Sequence, residues 1–376
     1  MVDKFRCMPK RPCSILVSPD NKSILCGDKF GDVYSLPLLP SVSDEPTIQD
    51  EQANPQETAS VKSFTPTATN LTVHSGRNRR ALESQLRQKG LQAKSKEPLK
   101  FEHQLLLGHV SMLTDVQIAT YTADGKPREL IITSDRDEHI RVSRGPPQAY
   151  VIERYCLGHQ EFISKLCLLP RTTRLVSGGG DDWLGFWDFV SGELLDKCNL
   201  KTAMSELPKK DDQAVEGDSE AKIAVSGLWA TDVPETEETL LLAASERVPA
   251  IFAVLASTVG SGKVEAKAIA LPGNPLDVAT NGSTLIISLD TAKVGLLFKP
   301  FVYSLLLTGV KSNSPRILAY KMRITDSRAE LVLDDEYNGR LQQVNELTAA
   351  SAPSEDLLYG IENLRKRGFE EGEDGM

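Results

Sequence analysis

One arrangement of apolar and polar positions occurs twice between residues 105 and 188. Each copy reads Gly-His, an apolar run, a second apolar run, an Asp-rich turn and a last strand. The first opens LLLGHVSMLTDV and closes ITSDRDEHIRVS; the second opens CLGHQEFISKLC and closes VSGGGDDWLGFWD. Runs such as Leu130-Ile131-Ile132 and Leu166-Cys167-Leu168-Leu169 are near-continuously apolar, as strands covered on both faces must be. The two Gly-His pairs lie about 50 residues apart, near the upper edge of the roughly 40–45-residue period of four-stranded repeats. The excess falls in the loop around residues 123–127.

The second copy ends in Trp187-Asp188, the signature dipeptide of WD-repeat blades. A blade is a small twisted antiparallel sheet that cannot bury both its faces alone, so blades stack around an axis. The expected fold is therefore all-β, a WD-repeat β-propeller. In such a blade the loop His bonds the Asp of the tight turn. This assigns His159, Ser177, Asp181 and Trp187 to one hydrogen-bonded set. In the first copy His109, Ser134 and Asp137 take the same places, with Ser143 where the Trp would stand, and that network is expected to be incomplete.

The pattern extends along the chain. Residues 12–36 supply an apolar run, a Pro-Asp-Asn turn, a strand over 23–27, a turn over 28–31 and a strand over 32–36. Residues 223–229, 239–245 and 250–255 form a fourth unit. Residues 275–279, 284–289 and 293–298 form a fifth. Both lack Gly-His and Trp-Asp. Residues 301–308 suit a strand or a short helix, and 322–333 can close a blade. A tail helix is predicted over 354–367, capped by Ser354, with Leu357, Ile361 and Leu364 on one face and Arg365-Lys366-Arg367 at its C-terminal end. The domain reading is a propeller over 1–346, insertions at 39–100 and 201–222, and a helical, charged tail over 347–376.

Residues 39–60 are rich in Pro, Ser and acids and read as a disordered loop. Beyond them Arg77, Arg79, Arg80, Arg87, Lys89, Lys94, Lys96 and Lys100 gather in a stretch with few apolar residues. It is either a solvated insertion or a basic arm near RNA phosphates. Arg365-Lys366-Arg367 is similarly a complement to a helix dipole or a nuclear-import signal.

Composition removes several alternatives. Among the 376 residues there is no apolar span of the roughly 20 residues that a membrane helix needs, and no apolar signal core follows the basic N-terminus. A soluble protein without a membrane partner is expected. Six cysteines are scattered without a Cys-x-x-Cys pair, against a zinc ribbon or a disulfide framework. A net charge of −9 leaves only local patches for nucleic acid. Gly178-Gly179-Gly180 is followed by Asp181 and Asp182, which would repel a phosphate, so it reads as a blade turn. The acids Asp135, Asp137 and Glu138 are interleaved with Arg136 and Arg141, and no catalytic or metal-binding set emerges.

The runs SDRDEHIRVSR (134–144), LGHQEFISKLC (157–167), CGDKFGDVYSLPL (26–38), EPLKFEHQLLLGHVSMLTDV (97–116) and LYGIENLRKRG (358–368) resemble the WD-repeat, non-catalytic subunit of eukaryotic tRNA (guanine-N7)-methyltransferase, its fungal members most of all. The resemblance implies seven blades, of which five are readable. The chain begins at a point similar to the family's second or third blade, so either leading blades precede Met1 or this version is short. It implies no catalytic residues here and no cofactor on this chain. S-adenosylmethionine would bind a separate catalytic subunit, and the pair would methylate a guanosine of the tRNA variable loop, mainly in the nucleus. Lys165 stands where the family pairs a basic residue with an acid of the catalytic subunit. Arg136, Glu138, His139, Arg141 and Glu161 are charges without a place in the blade network and are candidates for the same interface. The other readings are a generic WD-repeat adaptor and an enzyme acting alone. The unusual Asp-Arg-Asp-Glu-His turn argues against the first, and the lack of any catalytic set against the second.

Overall fold

Side chains along a strand point alternately to its two faces, and this alternation sets the architecture. Leu130 and Ile132 pack with residues of the following sheet, such as Ile163, Leu175 and Trp187. Ile131 between them packs the other way, with Leu25, Val33 and Leu107 of the preceding sheet. Further on, Leu241 and Ala243 join one core while Leu240 and Leu242 join the next. Each fully buried Leu or Ile contributes about 1.5–3 kcal/mol relative to an exposed one. No sheet gains this on both faces without two neighbours.

The computed structural model describes residue 8 and residues 10–39, 101–207, 222–291, 315–325, 328–348 and 358–366. The chain divides into two compact units, one of Met1–Pro9 with Pro37–His103 and one of Lys10–Leu36 with Gln104–Met376. In the first, His103 Nδ1 lies 2.9 Å from the Phe101 carbonyl oxygen. The second carries the blades, five four-stranded antiparallel sheets. Blade 1 is β1 (Pro12–Val17), β2 (Ser23–Asp28), β3 (Asp32–Pro37) and β4 (Gln104–Gly108). Blade 2 is β5 (Leu113–Ala123), β6 (Lys126–Asp135), β7 (Ile140–Arg144) and β8 (Ile152–Cys156). Blade 3 is β9 (Ile163–Leu168), β10 (Arg174–Gly179), β11 (Trp183–Asp188) and β12 (Leu194–Asn199). Blade 4 is β13 (Val225–Asp232), β14 (Thr239–Ser245), β15 (Ala250–Leu255) and β16 (Lys267–Ala270). Blade 5 is β17 (Asn274–Asn281), β18 (Thr284–Asp290), β19 (Ile317–Thr325) and β20 (Arg328–Leu333). First strands of successive blades neighbour one another in chain order from β1 to β17 and are the innermost strands.

Four expectations change. The third strand of blade 5 is β19, paired with β18, and residues 293–298 lie outside the described residues, as do 301–308. The insertion read over 201–222 starts later. The residues after β12 form helix α1 (Leu200–Ser205), with the Asn199 side chain accepting from Thr202 N–H and with Leu200 and Ala203 buried. A helix not expected from the sequence, α2 (Asp335–Thr348), follows β20. It has little apolar surface and docks by amides instead. Asn338 and Asn345 each accept from a backbone N–H of β19 and donate to a carbonyl of the same residue, Ala319 and Ile317 respectively, at 2.8–3.0 Å. The tail helix is reduced to a 3-10 turn over Ile361–Leu364. Gly360, at φ −162° and ψ −3°, breaks a helical path, and the residues on either side are held by different blades. Ser354 lies outside the described residues.

Candidate functional site

The polar clusters lie at one edge of the blades, where the Gly-His loops meet the turns between second and third strands; we call this edge the upper face. In blade 3, His159 lies 2.7 Å from Asp181 through Nδ1 and 2.7 Å from the Ser177 hydroxyl through Nε2. The indole N–H of Trp187 donates to the same hydroxyl at 2.8 Å. The ring of Trp183 stacks on His159 at 4.4 Å, and the Lys197 ammonium sits 3.8 Å above Trp183. Buried polar groups must be satisfied, and here each is, by the four residues expected.

Blade 2 requires two corrections. Thr133 pairs with Arg141 as Ser177 pairs with Gly185, so Thr133, not Ser134, is the counterpart of Ser177. Thr133 and Asp135 share a strand face, and both reach His109, at 2.7 Å and 3.3 Å. Ser134 points to the opposite face and meets the Thr114 hydroxyl at 2.9 Å. The Asp137 side chain, past the end of the strand, takes no part in the network. Asp135 also accepts from the N–H groups of Asp137 and His139. Burial pushes its carboxyl up, but the bonds from His109 and the His139 backbone outweigh this and hold it below the usual range.

The missing Trp of blade 2 is replaced rather than left vacant. Arg141 is buried, donates to Ser143 at 2.9 Å and to the Gly108 carbonyl at 2.9 Å. In blade 3 the corresponding pair is Gly185 and Trp187. A Cβ on Gly185 would stand 2.7 Å from the Trp187 Nε1. One blade thus fills the space with Gly and Trp, the other with Arg and Ser. Arg141 is thus held inside blade 2 by Ser143 and Gly108.

Each innermost strand begins with a bulge. The residue just after it is Ser14, Asp115, Lys165, Gly227 or Asp277 in blades 1 to 5. Asp115 is buried and accepts from Ser14 Oγ and from the N–H of Leu166, each at 2.9 Å. Burial pushes its carboxyl up, and the charge of Lys165 opposes this. Lys165 is half-buried on the innermost strand.

Most of the other charges singled out from the sequence meet the chain's own C-terminus. The Tyr359 hydroxyl bonds Asp290 and accepts from Asn274. Glu246 accepts from the N–H groups of Gly360, Ile361 and Glu362 at 2.8, 2.8 and 3.2 Å. Arg365 donates to the carbonyls of Gly180 and Ile223 at 3.1 Å and lies 3.0 Å from Glu161. Arg136 donates to the Leu364 carbonyl at 2.7 Å, and Lys366 lies 2.7 Å from Glu138 and 3.3 Å from Asp137. Residues 359–366 thus cross the upper faces of blades 5, 4, 3 and 2 in that order. Arg136, Glu138 and Glu161 are held by this strap. His139 stays half-exposed, 3.5 Å from Asp135 and edge-on to Tyr155. Glu246, Asn274 and Asp290 carried no sequence signal, because their partners are 69–116 positions away, and Tyr359 entered only as part of the run LYGIENLRKRG. Arg77, Arg79, Arg80, Arg87, Lys89, Lys94 and Lys96 lie outside the described residues.

Burial pushes the thiols of Cys156, Cys167 and Cys198 to about 12, so they behave as small apolar side chains. Stacked blades whose upper-face polar groups hold one another and a terminal strap define a WD-repeat propeller. The family model described as the tRNA methyltransferase TRM82 WD40 domain matches residues 3–297, and the chain belongs to that family. A Phaeosphaeria nodorum protein named tRNA (guanine-N(7)-)-methyltransferase non-catalytic subunit TRM82 is 42% identical, over 96% of this chain and 75% of its own length. Proteins of the same name from Coccidioides immitis and Sclerotinia sclerotiorum are 41% and 39% identical, over 98% and 97% of this chain and 72% and 69% of their own. Among solved structures, a computationally designed protein, Ika8, aligns over 87% of this chain and 72% of its own, at 12% identity and a TM-score of 0.38, too low to bear on the argument.

Proposed function

We propose that this chain is the non-catalytic subunit of a tRNA (guanine-N7)-methyltransferase. It binds and stabilises a separate catalytic subunit that forms 7-methylguanosine in the tRNA variable loop. One observation carries the reading: relatives named as that subunit match over 96% of the chain or more. In this reading S-adenosylmethionine binds the catalytic subunit, tRNA is met through the complex, and the complex works in the nucleus.

Lys165 is the residue we assign to the catalytic subunit. It stands on the upper face beside a buried carboxylate, where a carboxylate from a partner completes a charge pair. Truncating one member of a desolvated pair of this kind weakens binding by about 2–5 kcal/mol. Lys165→Gln is the cleaner test, because Glu at this position would set a second carboxylate against Asp115 and disturb the fold. Titration calorimetry with the catalytic subunit should show at least about a thirtyfold loss of affinity for this variant with unchanged thermal unfolding. Wild-type affinity would remove Lys165 from the interface. The basic stretch from Arg77 to Lys100 is assigned to tRNA. Its deletion should lower the affinity of the complex for tRNA and flatten its salt dependence, and an unchanged salt slope would return the stretch to solvent.

A further inference from the structure

The strap has a consequence for assembly. Its path follows an arc of carboxylates on the upper face: Asp290, Glu246, Glu161, Glu138 and Asp137. Each contacts the strap, yet the five come from four different blades. The strap answers them with the Tyr359 hydroxyl, the three successive N–H groups at 360–362, the Lys366 ammonium and the Arg365 guanidinium, which also pairs with Glu362 of the strap itself. The bond to Glu138, followed by those to Asp137, raises the Lys366 pKa. Arg365 is the deepest element. Its side chain is 18% exposed, it reaches two main-chain carbonyls of blade 3 and the loop after it, and its guanidinium lies 5.6 Å from the Phe162 ring centre. Carbonyl acceptors, carboxylates and an aromatic ring together form a site for a peptide segment carrying arginine and lysine.

We propose that the upper face of blades 2 to 5 is a receptor for a peptide segment that ends in an Arg-Lys pair, filled by the chain's own residues 359–366, and that the docked strap completes the surface bound by the catalytic subunit. The second half rests on the functional reading above. Its physical basis is charge. On a chain of net charge −9, the strap sets the Arg365 guanidinium, shared with Glu362 of the strap itself, and the Lys366 ammonium against these carboxylates. Arg365 also ties down Glu161, two positions before the bulged strand that carries Lys165. The strap therefore lowers the negative charge of the face and fixes the entry to the docking residue.

Glu246→Ala in the full chain is the discriminating variant, because it removes an acid from the face. If only net charge mattered, binding to the catalytic subunit would hold or improve. The proposal expects hydrogen exchange at the amides of 360–362 to accelerate by at least about tenfold, each having lost a bond to a carboxylate. It also expects affinity for the catalytic subunit to fall by about tenfold, with blade amides still protected. Glu246→Gln, which keeps an acceptor oxygen, should recover part of both. Unchanged exchange at 360–362 overturns the receptor. Released amides with unchanged or higher affinity overturn the docking role and make the strap an internal tie or a competitor. Wild-type binding is measured first. Its absence overturns the functional reading, while the exchange data still decide the receptor.

Discussion

The exchange of Gly and Trp in blade 3 for Arg and Ser in blade 2 can be tested as a coupled pair. Trp187 is fully buried, so Trp187→Ser removes an indole from a close-packed core and deprives Ser177 of a donor. Large-to-small changes of this kind cost about 3–5 kcal/mol. Gly185→Arg alone forces a side chain to within 2.7 Å of the indole nitrogen and 2.9 Å of the Ser177 hydroxyl, an overpacking worth about 1–3 kcal/mol. Were the positions independent, the double variant would lose about 4–8 kcal/mol by summing these two figures. In the double variant, however, the arginine enters the space the indole leaves. It can then donate to the new serine and to the Gly158 carbonyl, as Arg141 donates to Ser143 and Gly108. The double variant should therefore be no less stable than Trp187→Ser, with a coupling of about 1–3 kcal/mol or more. Urea unfolding of the four proteins, with coincident fluorescence and circular-dichroism transitions to establish two-state behaviour, measures this directly. An additive cycle would refute the argument that the two blades solve one packing problem in two ways.

Other predictions concern the same elements. Asp135→Asn should destabilise blade 2 by about 1–3 kcal/mol, since it disturbs a buried charged hydrogen-bond set, whereas Asp137→Asn should change stability by less than about 1 kcal/mol as a surface ion pair; urea midpoints separate the two. The depressed carboxyl of Asp135 also fixes a sign. Its stabilisation is complete above the unfolded carboxylate value of about 3.9 and is lost as the pH falls through its lower folded value, so Asp135→Asn should flatten the acid limb of the stability profile below about pH 4. Asn345→Ala should detach the end of α2 from β19 and cost about 1–3 kcal/mol from unsatisfied backbone groups, read by faster exchange at Arg316 and Ile317.

Blade 3 was legible because its network is local. Gly-His, the Asp turn and Trp-Asp fall within thirty-odd positions, and each residue type has one physical role. Blade 2 was legible in outline, but two aspartates share one turn, and only strand parity decides which faces His109. Arg136, Glu138 and Glu161 stood out correctly as charges outside the blade network. Their contacts within the chain were not legible because the strap lies 204 to 228 positions away and carries no repeat signature. α2 escaped notice for a related reason: it docks through two asparagines spaced seven apart, not through an apolar stripe that a hydrophobic period would reveal. Lys165 was recognised as unusual, yet its place on the innermost strand follows only from the bulge register.

The central claim is that this chain acts through a catalytic partner, and the most direct measurement is tRNA methylation by the chain alone, by the catalytic subunit alone and by the two co-expressed. The account predicts 7-methylguanosine formation that depends on mixing, with none from the chain alone. Methylation by the isolated chain, or a catalytic subunit whose activity and stability are unchanged by its presence, would contradict it.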